Sequence, residues 1–548
     1  MMPRYIRLLV LLVFTLAFIP TMGHIGSPGV VYEGKAGPYY LLVNISPPDV
    51  IPGVAEISIY STDTDIEKIQ VKPIYWGYGD EGSPKSDPML PVEGMPGQYA
   101  GEVWFMDVGT ASIAVYVDGE RGEGETIVPI MASATATRDM EPTLGWILAA
   151  LGLLLVVLMI TIVSAAVGEG VLTPGSHVKN LKRKKIIGAT VAACVISLVL
   201  YGGKSWWDSE TNTYLKYMYK PPLADSWIAE EEGKHMLTFQ IDSLSIKNKD
   251  RLSMKYLVPD HGKLMHMFMI REGSLDVFAH LHPKRVDPLT FKVYLPDLPP
   301  GRYYVFGDIV RLNGYTETIA DTVEVPAKAL VQTVANTISL SDPDDTFIIS
   351  TAVNQAPADY VLDKNILVCG KPGVETPLLD GSTAVFDYQV GKAFEVDKVY
   401  PLTFAINDPQ GEPAELEPYM GMMGHAVIFR KEGGVYNHLH PVGNYSMTSQ
   451  QILESRIAED SPRPEIPEAE SFYDSINQVV YQLAQLTESE RSDILMAGMD
   501  HTGLGVHAEH GSTVTFPYAF PIPGDYRIWI QMKRNGQVLN SSFDAKVE

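Results

Sequence analysis

Two stretches free of charged residues constrain this chain more than any other feature. Leu144 to Val167 carries no charge over 24 residues, and Ile186 to Gly203 carries none over 18. A bilayer core needs about 20 residues of helix, and only helices or closed barrels satisfy their backbone inside it. Both stretches therefore read as transmembrane helices, with the lipid bilayer as partner. Lys179, Lys182, Arg183, Lys184 and Lys185 lie between them, opposed by Glu169 alone. The bias of basic loops toward the cytoplasm places 168–185 inside. Trp146 and the pair Trp206/Trp207 then fall at the opposite interface, so both flanking regions are expected outside. Neither span contains Asp, Glu, Lys, Arg or His, which favours an anchor over a transport pathway. The N-terminus reads as an export signal over 1–23, with Arg4 and Arg7 ahead of an apolar run from Leu8 to Ile19 and small residues at Thr21 and Gly23. An uncleaved signal anchor is the alternative.

The charge balance excludes a class of partner. Lys plus Arg is 42 against 66 Asp plus Glu, a net charge of −24. Nucleic-acid binders need a basic face to displace counterions, so no nucleic acid is expected. With only Cys194 and Cys369, a disulfide scaffold and a Cys-rich metal site are excluded as well.

Outside the spans the chain reads as β. Alternation marks Tyr39–Ser46, Glu56–Tyr60 and Ser112–Val117, and Pro-Gly-x-Tyr recurs at Pro96, Pro300 and Pro523. Each copy supplies a turn and then an aromatic or β-branched strand. The expected fold is mainly β: several Ig-like β-sandwich domains, two transmembrane α-helices and a helical insertion in the last domain. The sandwiches are placed at 27–138, 228–327 and 331–548. Residues 332–395 are either a subdomain or early strands of the last one. Residues 446–500 are the insertion, because the β pattern gives way there to helical spacing and an acidic, Pro-interrupted stretch.

The histidines form matched groups. His261 and His266 precede Phe278-Ala279-His280-Leu281-His282-Pro283, while His425 precedes Tyr436-Asn437-His438-Leu439-His440-Pro441. On a strand, residues two apart share a face. A three-residue loop Glu272-Gly273-Ser274 would set His266 opposite His280. A two-residue loop Glu432-Gly433 would set His425 opposite His440. Three imidazoles then converge on one face of each hairpin, close enough to hold a transition-metal ion. Ligand type alone leaves copper, zinc, nickel and iron open. Location outside the cytoplasm and the neighbouring methionines favour copper, with zinc the alternative. By parity Met265, Met267 and Met269 point to the core, and Met423 is the best thioether candidate. His261 is a fourth ligand or a loop residue. Asp308 and Gln531, at equal distances after Gly301 and Gly524, are candidates to complete the ligand shell or to orient it, with strand-edge polar residues the alternative. His501, His507 and His510 form a third candidate group, as a second metal site, a lid on the triad of the last domain or a solvated loop.

These motifs resemble a family of bacterial exported proteins described as heavy-metal or copper-associated. Its hallmark Lys-x-Met-His followed by Phe-x-His-x-His-Pro is matched by Lys263 to His266 and Phe278 to Pro283. A sister form is matched by Tyr419 to His425 and His438 to Pro441. The first domain resembles the YtkA-like Ig-fold domains found beside them. The resemblance implies metal binding at the bacterial cytoplasmic membrane, with the N-terminal domain and C-terminal half extracytoplasmic. Two rival expectations are a metal-dependent enzyme using an open three-histidine site, and an adhesion or scaffold protein whose histidines pack. No residue carries an enzyme motif that favours the former.

Overall fold

The computed structural model describes residues 29–169, 179–231, 233–246, 252–327, 342–352, 366–459, 461, 463–496 and 511–548. The expected signal 1–23, the span 170–178 of the basic loop, and His501, His507 and His510 lie outside the described residues. The fold is mainly β, built as β-sandwiches. Residues Ser133–Lys220 form one compact unit, and Met1–Ala132 with Pro221–Glu548 form another.

The first of these units is a helical hairpin, Pro142–Glu169 and Leu181–Tyr217. Both helices are long and apolar enough to cross a membrane. The first, 28 residues, is about 42 Å long at 1.5 Å per residue. The second outruns the apolar stretch 186–203 at both ends. Lys182 to Lys185, expected in a loop, form its opening turns, since Lys and Arg are good helix formers. The helices touch where Gly188 faces Val167 and where the Ser164 hydroxyl donates to the Lys185 carbonyl at 3.0 Å.

In the other unit, the N-terminal sandwich pairs a five-stranded sheet with a four-stranded one. Tyr39–Ser46 buries alternate residues, as its sequence predicts. Gly109–Gly119 is buried nearly throughout, because the helix Met447–Ala458 lies over its outer face. Leu453 joins Ile74, Ala114 and Ile127 in one cluster, while Arg456 Nε donates to the Trp76 carbonyl at 3.0 Å.

The two histidine repeats share one strand plan. In the first, the hairpin His266–Arg271/Val277–Leu281 pairs with Gly301–Arg311, which pairs with Thr316–Val325. In the second, His425–Arg430/Tyr436–Leu439 pairs with Gly524–Arg534, which pairs with Gln537–Val547. Each long strand starts at the Gly of a Pro-Gly-x-Tyr phrase. The Tyr303 hydroxyl donates to the Pro299 carbonyl and that of Tyr526 to the Ile522 carbonyl, both at 2.7 Å. No such bond occurs at Tyr99 among the described residues, so the phrase in the N-terminal sandwich marks only a turn before Gln98–Phe105.

The segment after the first repeat corrects the expected boundary at 331. Thr346–Ala352 pairs antiparallel with Val277–Leu281, and Ile366–Cys369 runs parallel beside it. These strands extend the first repeat's sheet, and the second repeat's opposing sheet begins at Glu375–Pro377. The insertion is helical as expected, with Met447–Ala458, Ala469–Gln485 and Glu488–Met496. Ala469–Gln485 covers the first repeat: Ile476 and Val480 pack on its core, and Arg285 lies over the Tyr473 ring.

Candidate metal centre

The hairpin strands are buried on both faces. Met267, Met269, Val277, Ala279 and Leu281 point into the first repeat's own core, and Ala426, Ile428 and Leu439 into the second's. The alternate residues Phe268, Ile270 and Phe278 meet Val427, Phe429, Tyr436 and Trp529 in a core shared between repeats. Phe278 stacks on Trp529 at 5.0 Å and Phe306 on Tyr436 at 4.1 Å. His266, His280, His425 and His438 belong to the same alternation, so face-to-face packing drives the two histidine groups together.

Register sets each hairpin. Phe268 is opposite His280, which places His266 two residues away from its expected partner. The turn is longer than Glu272-Gly273-Ser274 because Leu275 adopts a left-handed conformation (φ 51°). A shift of two preserves parity, so the ligand face is unchanged. In the second repeat Ala426 is opposite Leu439, the register that sets His425 against His440.

His261 comes from a turn. Asp260 and Lys263 exchange two backbone hydrogen bonds at 2.9 Å, and His261 and Gly262 both have positive φ (49° and 82°). That is a type I′ geometry. Tyr419-Met420-Gly421-Met422 forms the same turn in the second repeat, with φ of 52° and 80°. Met420 therefore stands where the first repeat has His261.

Ligand-bearing atoms gather in two sets, each within 4.8 Å: His266, His280 and His282, and His261, His425 and His440. The second set corrects the expectation that each hairpin holds its own three imidazoles. The turn of one repeat completes the site of the other, while His438 lies between the sets. Its ring is 5.7 Å from His266, 5.9 Å from His280, 5.4 Å from His425 and 4.6 Å from His440. Met423, expected to share the face of His425, packs against the second repeat's core instead, because the strand starts only at His425.

Taken with Gln531 Oε1 turned toward His280, the hydrogen bonds assign the tautomers as follows. His266 Nε2–H donates to the Asp260 carbonyl at 3.1 Å, which leaves Nδ1 a bare lone pair. His280 Nδ1–H donates to Gln531 Oε1 at 2.8 Å, Gln531 being held by its Nε2 donating to Asn540 Oδ1 at 2.9 Å. Its Nε2 is then bare too. These two bare nitrogens face each other at 3.1 Å. His282 Nδ1–H donates to Asp345 Oδ1 at 2.9 Å, and its Nε2 has no partner among the described residues. His440 Nδ1–H donates to the Tyr445 carbonyl at 2.9 Å, leaving Nε2 unpartnered, as are both ring nitrogens of His261 and His425 and Nε2 of His438. Buried polar atoms are rarely left so. All seven rings sit within the fold, and six are classed with its buried core.

Burial holds the imidazoles neutral. It is the first cause lowering His261, His266, His280, His282, His425 and His438, and it takes His440 down to about 4. Neutral imidazole is the form that binds metal. Burial also pushes Asp345 up to about 7, helped by the charge of Asp342, and Asp308 up to about 6.

A family model described as "Domain of unknown function (DUF8832)" matches residues 223–327, 379–462 and 494–548. The match takes in both repeats, all seven clustered histidines and Gln531. No curated protein matches the chain. Among solved structures, a tetra-tandem repeat from the extending region of a large adhesion protein is similar at 8% identity, covering 95% of this chain and 93% of its own, with a TM-score of 0.14. An ICAM-5 D1–D4 ectodomain fragment is similar at 6% identity, covering 93% and 77%, with a TM-score of 0.15. Scores this low carry no inference about role.

Several contributing residues have no sequence signal. Asp260 acts through its backbone and a turn. Asp342, Asp344 and Asp345 reach the centre from the segment between repeats, where Lys263 bridges Asp342 and Asp344 and Arg491 pairs with Asp344 at 3.2 Å. His282, Asp342 and Asp345 make a further group with metal-ligand spacing.

Proposed function

We propose that this chain is a membrane-anchored, extracytoplasmic metal-binding protein that clamps transition-metal ions, copper favoured, between its two β-sandwich repeats. The supporting observation is the pair of bare nitrogens on His266 and His280. Two lone pairs at 3.1 Å repel unless a proton or a cation lies between them, and burial opposes a second proton on either ring. A metal ion removes the conflict and uses the unpartnered nitrogens of the other rings at once. Preference for copper rests on the all-imidazole donor set and on the rise of affinity to Cu(II) along the first-row divalent metals. Thioethers add little to it, since Met265, Met267 and Met269 lie in the first repeat's own core. Zinc fits the same donors.

The two long apolar helices are the proposed anchor in the bacterial cytoplasmic membrane. The basic residues Lys179 to Lys185 are proposed to face the cytoplasm, leaving the N-terminal sandwich and both repeats outside. The role is copper handling or resistance, in keeping with the resemblance to exported His-x-His-Pro proteins. The full chain, purified in detergent from cells supplied with copper and zinc, is expected to carry bound metal with copper in excess. Folded protein without transition metal would overturn the reading in favour of histidines that only pack.

A further inference from the structure

At their closest the rings of the two histidine sets are 6.1 Å apart, against 4.5 to 5.5 Å between rings within a set. Across the sets, the His261 and His266 rings are 6.1 Å apart and the His280 and His425 rings 6.2 Å. Within the sets, His261 and His425 are 5.5 Å apart and His266 and His280 5.4 Å. One ring, His438, contacts members of both, and its unpartnered Nε2 belongs to neither.

Asp260 also spans the two. Its carbonyl accepts from His266 of the first set, while its carboxylate Oδ1 lies 3.7 Å from His261 Nε2 of the second and has no hydrogen-bond partner among the described residues. Buried Asp260 thus touches both sets, and its unpartnered side-chain oxygen is open to a cation.

We infer that the two sets hold their ions as one coupled binuclear centre, with Asp260 as the shared counter-charge and a single bridging oxygen-donor anion such as hydroxide. This rests on the metal-binding reading above. Three imidazoles leave a four-coordinate ion one open position. Two divalent ions side by side repel, and one anion bound to both offsets that repulsion while filling both open positions. Two-metal sites of this kind hold their ions roughly 3.5–4 Å apart. The surroundings restrict the bridge to a small species: Phe268 stacks on His280 at 4.3 Å, and Tyr419 closes on His425 at 5.4 Å.

The test uses the full chain in detergent, loaded with Cu(II), treated with ferricyanide and freed of excess metal. Copper is counted by elemental analysis and unpaired spins by integrated electron paramagnetic resonance. The expected result is two coppers per chain with far fewer than two spins, and recovery of two spins on denaturation. Azide, titrated against the optical charge-transfer band, is expected to bind once per chain. Two coppers with two independent spins overturn the coupled centre, as does azide binding twice per chain or not at all. One copper per chain overturns it while leaving the metal-binding reading intact. No copper overturns both.

Discussion

His280 of the first repeat donates from Nδ1 to Gln531 of the second at 2.8 Å, and the residue matching Gln531 in the first repeat, Asp308, lies 3.5 Å from Nδ1 of His438 in the second. Gln531 is opposite His425 in its own sheet, and Asp308 is opposite His266 in its own. Each repeat thus supplies the polar group that orients a histidine of the other. The exchange is reciprocal in position and unequal in chemistry, an amide on one side and a carboxylate on the other.

Replacing Gln531 by Leu removes the acceptor that fixes the His280 tautomer while keeping the side-chain bulk. Loss of such an orienting partner typically weakens metal affinity about 10–100-fold. Competition against a chelator of known affinity should show a loss of that size in one of two equivalents. Unchanged affinity would mean that His280 does not bind through Nε2.

Trp529 is fully buried in the core between the repeats. Trp529→Ala should cost about 3–5 kcal/mol, as large aromatic truncations in cores do. Denaturant unfolding of the solubilised chain reads this directly, and metal affinity should fall with it because the same packing assembles the ligands. A loss below about 1 kcal/mol would contradict tight packing between the repeats.

Arg527 holds Asp544 through Nε at 2.8 Å and Nη2 at 3.1 Å, and its Nη1 donates to the Leu275 carbonyl of the first repeat at 2.7 Å. Burial alone would raise the Asp544 carboxyl, but the Arg527 bonds and charge hold it below its ordinary value. A depressed folded-state carboxyl contributes stability that is present above the unfolded value, about 3.9, and is lost as pH falls through the folded one. Asp544→Asn should therefore be less stable than the parent at pH 7, with the difference shrinking below about pH 4. An equal difference at pH 7 and pH 3 would show that Asp544 acts through something other than its charge.

Topology is open to labelling after Cys194 and Cys369 are replaced by Ala. Single cysteines at the exposed Glu102 and Lys546 should react with an impermeant reagent applied outside, whereas one at Lys179 should react only after permeabilisation. Outside labelling at Lys179 would invert the proposed orientation.

The fold class was legible because each sandwich carries local signals: alternation in Tyr39–Ser46, and turns before Gly301–Arg311 and Gly524–Arg534. The ligand face was legible because parity survives a two-residue register shift. The grouping was not. Phe268, Phe278 and Trp529 are apolar on strands whose other face is apolar too, so nothing local says that the second face is buried against another repeat. His261 lies in a turn, outside any strand periodicity, and its counterpart is Met420, so comparing the repeats hides its role. Asp345 reaches His282 from a segment that looks like a linker.

The most direct test of the shared centre removes the first set and then asks who holds the second. With His280 and His282 both changed to Ala, one ion per chain should remain, held by His425 and His440 of the second repeat together with His261 of the first. Adding His261→Ala to that background, with folding checked by circular dichroism, should abolish the remaining equivalent in elemental analysis. Retention of that ion at unchanged affinity would contradict the account, because the second repeat would then hold its metal alone.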